Sequence, residues 1–244
     1  MKEKMSLKGR TIIVTGGARR VGKILALAAA GTGADVVVHY GASKGEAQAT
    51  AEEIRSLGVQ AFLLQADLNK PQEAAGFIER AQEFGPLFAL VNSAAIFERL
   101  DWKSTTLEAW NRHLMVNLTA PFLLSQAFAN ALGGARGRII NIVDWRWQRP
   151  GADHLPYAIS KSALAALTQS LAMGMAPDIT VNALALGAIL PPSDGAAKPD
   201  ILLGVPARRW AAPQEVADAI RFLLTGPEYI TGEIIYVDGG EHLL

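Results

Sequence analysis

The chain has 244 residues, half of them hydrophobic, and its 23 Lys and Arg balance 23 Asp and Glu. That length suits one α/β domain with a sizeable core, and the balanced charge excludes the basic field that nucleic acid or an anionic membrane surface requires. The lack of cysteine excludes disulfides and thiolate chemistry.

Four scattered histidines, His39, His113, His154 and His242, leave metal ligation formally open but suggest no metal site. The N-terminal run MKEKMSLKGRTIIVTGG meets glycines too early for a signal-peptide core. No later segment approaches the length of a bilayer span. A cytoplasmic protein with a small-molecule partner, no nucleic acid and no membrane is the expectation.

Short β-branched runs predict strands at 11–15, 35–39, 61–65, 87–92, 138–143, 179–184 and 233–237. Most are apolar throughout, as in a parallel sheet covered by helices on both faces. Helical stretches lie between them at 20–32, 43–57, 70–84, 104–132, 156–175 and 213–225. The β-α alternation predicts a doubly wound sheet in one domain spanning 1–244. Segment 187–212, with four Pro and three Gly, is expected to be an irregular substrate loop and a candidate lid.

The stretch IIVTGGARRVGK places Gly16 and Gly22 at the turn from the first strand into the first helix. Backbone N–H groups and the helix dipole there can hold a diphosphate, although a tight structural turn reads the same way. Arg19 and Arg20 sharpen the reading. Cations at a helix N-terminus cost about 0.3–1 kcal/mol each unless an anion is present, so the pair points to a bound phosphate rather than a solvated surface. After the second strand, His39, Tyr40 and Gly41 stand where an acid would grip the ribose of NAD. With Arg19, Ser43 and Lys44 in reach, NADPH is the expected cofactor. Asp67, followed by Leu68, suits either the adenine edge or the cap of the next helix.

Tyr157 and Lys161 are four apart on one helix face. An ammonium beside a phenol is expected to lower the phenol's pKa from about 10 and make it a usable proton donor. Their helix is apolar on nearly every side, so its lysine needs a reason to be there.

With these residues in hand, the sequence resembles the short-chain dehydrogenase/reductase family over essentially its whole length. The matching features are TGGARRVG at 15–22, Asp67, VNSAA at 91–95, Asn117, Tyr157 with Lys161, ITVNALALGAI at 179–189 and ITGEIIYVDGG at 230–240. The resemblance implies a Rossmann-type sheet of seven strands in a three-layer α/β/α domain, and a homotetramer or homodimer. It implies catalytic roles for Asn117, Tyr157 and Lys161, with Asn117 holding a water that links Lys161 to solvent. To the cofactor it assigns Gly16, Arg19, Arg20, Val21, Gly22, His39, Tyr40, Gly41, Ser43, Asp67, Leu68, Asn92, Ser93, Ala94, Tyr157, Lys161, Gly187 and Ile189.

Four positions depart from the family pattern. Arg20 replaces a glycine, Asn92-Ser93-Ala94-Ala95 replaces Asn-Asn-Ala-Gly, Leu186 replaces a proline and Asp144 replaces the catalytic serine. Arg20 and Asp144 together are similar to the pteridine reductase branch, including the bacterial dihydromonapterin reductases. That likeness implies that Phe97 stacks a pterin on the nicotinamide, and that Arg20, Phe97, Asp144, Tyr157 and Leu186 meet the substrate. The implied reaction passes hydride to C6 of a 7,8-dihydropterin, and a proton to N5 from Tyr157 assisted by Asp144. Other readings stand beside this one. Phe97 also suits an ordinary loop aromatic, and Asp144 suits a loop cap or an ion-pair partner of Arg146 or Arg149. A 3-oxoacyl-thioester or general carbonyl reductase is the rival activity, kept open by Arg136 and Arg138, and a cofactor-binding protein without turnover is a further rival. Trp145 and Trp147 suit either the pocket or an interface.

Overall fold

The computed structural model describes residues 6–191 and 199–244. Its strands are β1 Thr11–Val14, β2 Asp35–Tyr40, β3 Ala61–Gln65, β4 Leu87–Asn92, β5 Gly137–Asp144, β6 Ile179–Leu186 and β7 Ile234–Val237. They form one seven-stranded sheet in the order β3-β2-β1-β4-β5-β6-β7, with every neighbouring pair parallel. This is the doubly wound Rossmann-type arrangement expected from the sequence. The strand order reverses between β1 and β4, so a crevice opens there at the carboxyl ends of the strands.

The helices are α1 Arg20–Ala30, α2 Lys44–Ser56, α3 Pro71–Ala75, α4 Phe77–Gln82, α5 Leu107–Leu114, α6 Ala120–Leu132, α7 Leu155–Met175 and α8 Pro213–Thr225. Successive side chains of a strand point to opposite faces, and both faces here are apolar. Ile12 and Val14 of β1 pack with Leu25 of α1 and Ile220 of α8 on one side. Ile13 packs with Phe77 of α4 and Phe128 of α6 on the other. These four side chains flank a sheet with no wet face, which explains the unbroken apolar strands.

Two expected helices are broken. Gly76 separates α3 from α4 within 70–84. Between α5 and α6, residues Met115–Thr119 form a π turn, where a continuous helix over 104–132 was expected. Pro121 has no N–H to donate to the Asn117 carbonyl four residues earlier, so the α register cannot run on unchanged. Of the irregular segment 187–212, residues 192–198 lie outside the described residues, and with them part of the expected lid. The described remainder includes a 3₁₀ segment at Pro199–Gly204.

The turn from β1 into α1 depends on close backbone approach. A Cβ on Gly22 would stand 1.9 Å from the Gly16 carbonyl oxygen, a backbone atom that cannot yield. Gly22→Ala is therefore expected to lower the melting temperature by roughly 5 °C or more, the scale of overpacking in a chain of this size. Thermal unfolding followed by circular dichroism checks it.

Candidate active site

A cleft of about 1720 Å³ runs along the carboxyl ends of the strands, lined from the β1–α1 turn through the ends of β5 and β6 to Glu241. Drug-sized sites are usually about 300–1,000 Å³, so this one has room for an extended ligand and a second molecule beside it.

At one end, α1 begins with no acid in its first turn and no side-chain cap from Arg19, which leaves its first N–H groups free for an anion. Gly16, Arg19, Arg20, Val21 and Gly22 line this end. Arg20 has φ 51°, the left-handed conformation in which the resemblance expects glycine, at a cost of about 1–2 kcal/mol for a residue with a Cβ. Its guanidinium donates to the Pro191 carbonyl at 2.9 Å, holding the start of the irregular segment over the cleft. Thr15 Oγ1 accepts from the Ser93 and Ala94 N–H groups at 2.9 and 3.0 Å and so fixes the loop after β4.

His39 has a structural task. Its Nδ1 accepts from Gly16 N at 3.0 Å, and Nε2 lies 3.0 Å from the Ala66 carbonyl. Nδ1 must be bare and Nε2 protonated for both bonds to form, so the ring is neutral, and burial lowers its pKa to about 4. Gly41, Ser43, Asp67, Leu68, Ser93, Ala94, Gly187 and Ile189 also line the cleft as expected. Three expected site residues do not. Tyr40, Asn92 and Asn117 are buried and are not among the residues lining the cleft. Asp67 also departs from the expected helix cap. It accepts from Asn69 N at 3.0 Å in a local turn, and Lys70 is the residue that precedes α3.

At the other end, β5 carries Asp144 as its last residue, opposite Leu186 of β6. The Tyr157 hydroxyl donates to Asp144 Oδ2 at 3.2 Å. Asp144 Oδ1 accepts from the Arg146 N–H at 2.9 Å and from Arg146 Nε at 3.3 Å. The carboxylate thus caps the 3₁₀ turn Trp145–Gln148, pairs with Arg146 and faces the phenol at once. Arg149 takes no part; it donates to the Leu244 carbonyl. Arg146 reaches on to Asp153 at 3.5 Å, and Asp153 lies 3.0 Å from His154 Nδ1. The His154 ring stacks on Phe97 with centroids 4.1 Å apart, and Phe97 meets Tyr157 edge-on at 4.6 Å. Phe97 is 57% exposed, so its surface is available for a further flat group.

The expected lysine-tuned phenol is corrected by these contacts. Lys161 is buried and donates to the Ile142 carbonyl at 2.7 Å, and its Nζ lies 5.7 Å from the Tyr157 ring centroid. Burial, and then the neighbouring Asp144 carboxylate, push the Tyr157 pKa well above its ordinary value. Burial lowers Lys161 to about 8, opposed by Asp144. The phenol is held protonated, and the ammonium is the group near its titration point. Asn117 is engaged too. Its Oδ1 accepts from Ile96 N at 2.9 Å, and its Nδ2 donates to the Ile96 carbonyl and to Ser160 Oγ, each at 3.0 Å. The side chain pins the loop carrying Phe97.

Trp145 lines the cleft, whereas Trp147 packs against the core around Val143 and Leu164. The expected ion pair of Asp144 with Arg146 is present, whereas sequence reasoning missed two residues of this site: His154 as the stacking partner, and Glu241. Two left-handed glycines, Gly239 and Gly240, turn the chain back after β7 and bring Glu241 into the cleft wall. The DGGE sequence was the available signal. Burial, and then the Asp144 carboxylate, raise Glu241 to about 7. Among the described residues, no group of three His, Cys, Asp or Glu is placed to hold a metal, and no helix is long and apolar enough to cross a membrane.

A family profile described as enoyl-(acyl carrier protein) reductase matches residues 16–242. A 3-oxoacyl-(acyl-carrier-protein) reductase of Synechocystis is 35% identical over 241 residues, covering 96% of this chain and 98% of that protein. The crystal structure of FolM alternative dihydrofolate reductase 1 from Brucella canis, complexed with NADP, superposes with a TM-score of 0.89 at 33% identity, covering 98% of this chain and 96% of that one. A blue fluorescent protein from a metagenomic library, in complex with NADPH, gives a TM-score of 0.89 at 33% identity, covering 97% of this chain and 99% of that one. With the parallel sheet and the Tyr157–Lys161 helix, these place the chain in an oxidoreductase class. It belongs to the short-chain dehydrogenase/reductase family.

Glu241 makes stability depend on pH. Its pKa rises from 4.5 to about 7 on folding, so the fold favours the protonated acid, and the carboxylate's penalty appears as pH rises through that window. Glu241→Gln is expected to melt higher than the parent protein at pH 8, with the advantage gone at pH 4; melting curves at the two values test this.

Proposed function

We propose that the protein is an NADPH-dependent reductase that converts a 7,8-dihydropterin to its tetrahydro form. The observation that carries this reading is the Tyr157–Asp144 hydrogen bond at 3.2 Å, with Phe97 edge-on to the same phenol. A serine at position 144 could only steady a carbonyl oxygen, whereas a carboxyl paired with a phenol can bring a proton to a ring nitrogen.

The residues fit a dinucleotide. Gly16 and Gly22 allow a turn too tight for a Cβ at either position, both line the cleft, and the N-terminus of α1 beside them is uncapped. No acid follows β2: His39 and Tyr40 are buried, and Arg19 and Ser43 line that end of the cleft, which suits a 2′-phosphate. The NADP and NADPH complexes of the structural relatives support the same choice. When bound, the nicotinamide supplies hydride. Phe97 holds the heterocycle flat, and Leu186 and Trp145 close the slot around it. Tyr157 gives the proton to N5, and Asp144 hydrogen-bonds the phenol and returns its proton from solvent, so that one C–H and one N–H bond form at the former C=N. Lys161 supplies positive charge beneath the phenol. Arg20 spans the phosphate end and the start of the irregular segment, between cofactor and substrate. Self-association as a homodimer or homotetramer is part of the reading, supported by the exposed Phe122 of α6 and Met173 of α7.

Reduction of 3-oxoacyl thioesters is the second reading, favoured by the Synechocystis relative. Docking of an acidic carrier domain would fall to Arg136 and Arg138. Arg138 is buried and donates to the Leu223 and Gly226 carbonyls, so docking would rest on the exposed Arg136, which pairs with Glu228.

Oxidation of NADPH, followed by absorbance with 7,8-dihydromonapterin, 7,8-dihydrobiopterin and an acetoacetyl thioester in parallel, is expected to be fastest with the pterins. Preference for the thioester would establish the second reading. Asp144→Ser is expected to lose pterin turnover by about 10²-fold or more, the scale of general acid-base assistance. The Lys161 pKa of about 8 sets an alkaline limb: the reduction rate is expected to fall above pH 8 as the ammonium is lost, and Lys161→Met to give a low rate without that limb.

A further inference from the structure

Glu241 lies outside the roles given above, yet the residue lines the cleft at its Asp144 end. The backbone brings it there deliberately in the mechanical sense: Gly239 and Gly240, with φ 63° and 87°, reverse the chain after β7, and Asp238 accepts from Gly240 N and His242 N to lock the turn. Gly187 makes room for the carboxyl, since a Cβ at that position would stand 2.8 Å from Glu241 Oε2. The Ala188 N–H donates to this carboxyl, but Oε2 is buried without a hydrogen-bond partner. A buried acceptor left unpaired costs about 1–3 kcal/mol, and because Oε2 is closed to solvent a ligand N–H reaches the carboxyl only by turning it toward the cleft.

The charged groups facing Glu241 are Asp144 at the end of β5, Arg146 on the following turn, and Asp238 after β7; Asp238 is itself held by His242 at 2.7 Å. Two acids against one shared arginine make this wall acceptor-rich. A thioester or keto acid presents only acceptors to such a wall. An amino-substituted heterocycle presents N–H donors.

We infer that Glu241 is a specificity-determining residue, whose carboxylate accepts hydrogen bonds from the amino-pyrimidine N–H edge of the substrate while Asp144 and Tyr157 serve the reacting C=N bond. The inference rests on the dihydropterin reading and deepens it. Because the acid titrates near neutral pH, ligand binding should depend on its ionisation. A ligand that binds only the carboxylate gains about 10-fold in affinity between pH 6 and pH 8 for a group with a pKa of about 7.

The test is calorimetric titration of 7,8-dihydrobiopterin, under argon, into the NADP⁺-loaded protein, for the parent and for Glu241→Gln. The Gln side chain keeps the acceptor for Ala188 N–H, and the melting temperature of the loaded variant checks its fold. The parent is expected to bind about 10-fold more tightly at pH 8 than at pH 6. The variant is expected to bind at least 10-fold more weakly than the parent at pH 8, with no change between the two pH values. Equal affinity and equal pH dependence in parent and variant would overturn the role of Glu241 while leaving the dihydropterin reading intact. Failure of the parent itself to bind overturns both, and binding by the parent without NADPH oxidation overturns the proposed reaction alone.

Discussion

The hydrogen bond from the Tyr157 hydroxyl to Asp144 closes a ring of six side chains around the reactive end of the cleft. Asp144 pairs with Arg146, Arg146 reaches Asp153, Asp153 holds His154, His154 stacks on Phe97, and Phe97 returns edge-on to Tyr157. Each member is oriented by two neighbours, which is how a site holds geometry without depending on one rigid residue. Without the phenol–carboxylate closure, Asp144 would be only the cap of a short turn, and Phe97 an exposed loop aromatic.

Electrostatics in this ring are governed by burial more than by pairing. Tyr157 and Lys161 share a helix face, but desolvation is the largest influence on both, and it favours the neutral form of each. The same force raises Glu241. Three groups of ordinary pKa near 10, 10 and 4 are thereby spread so that two of them, the ammonium and the distal acid, titrate close to neutral pH. Separation of titration points in one cleft is the usual arrangement for directing proton transfer.

Among the described residues, two of the three non-glycine residues with left-handed φ belong to the cleft. Arg20 and His154, both with φ near 50°, line it at opposite ends. Each adopts a conformation that glycine would occupy more cheaply, and each side chain makes a contact glycine could not: Arg20 to the Pro191 carbonyl, His154 to Phe97. The strain is offset by packing elsewhere, in a core where both faces of the sheet are dry.

The strands were legible because apolar runs of five or six residues, flanked by glycine and proline, are a local signal; β3 Ala61–Gln65 and β4 Leu87–Asn92 end where the sequence says they should. Tyr157 and Lys161 were legible as a pair on one helix face from their spacing, and Asp144 through the resemblance to the pteridine reductase branch. What spacing could not carry was the register of distant segments. Only packing joins Glu241 to Asp144 across 97 positions, buries Asn92 and Tyr40 away from the lining, or commits Asn117 to Ile96. The phenol's pKa follows the same division. An ammonium four residues away predicts a lowered value, and the folded protein raises it, because desolvation is a property of everything packed around the group. Local sequence determined the sheet, the turns and the reactive residue types; the tertiary structure decided which of them face one another and in what dielectric, since burial and long-range contact exist only once the chain has closed.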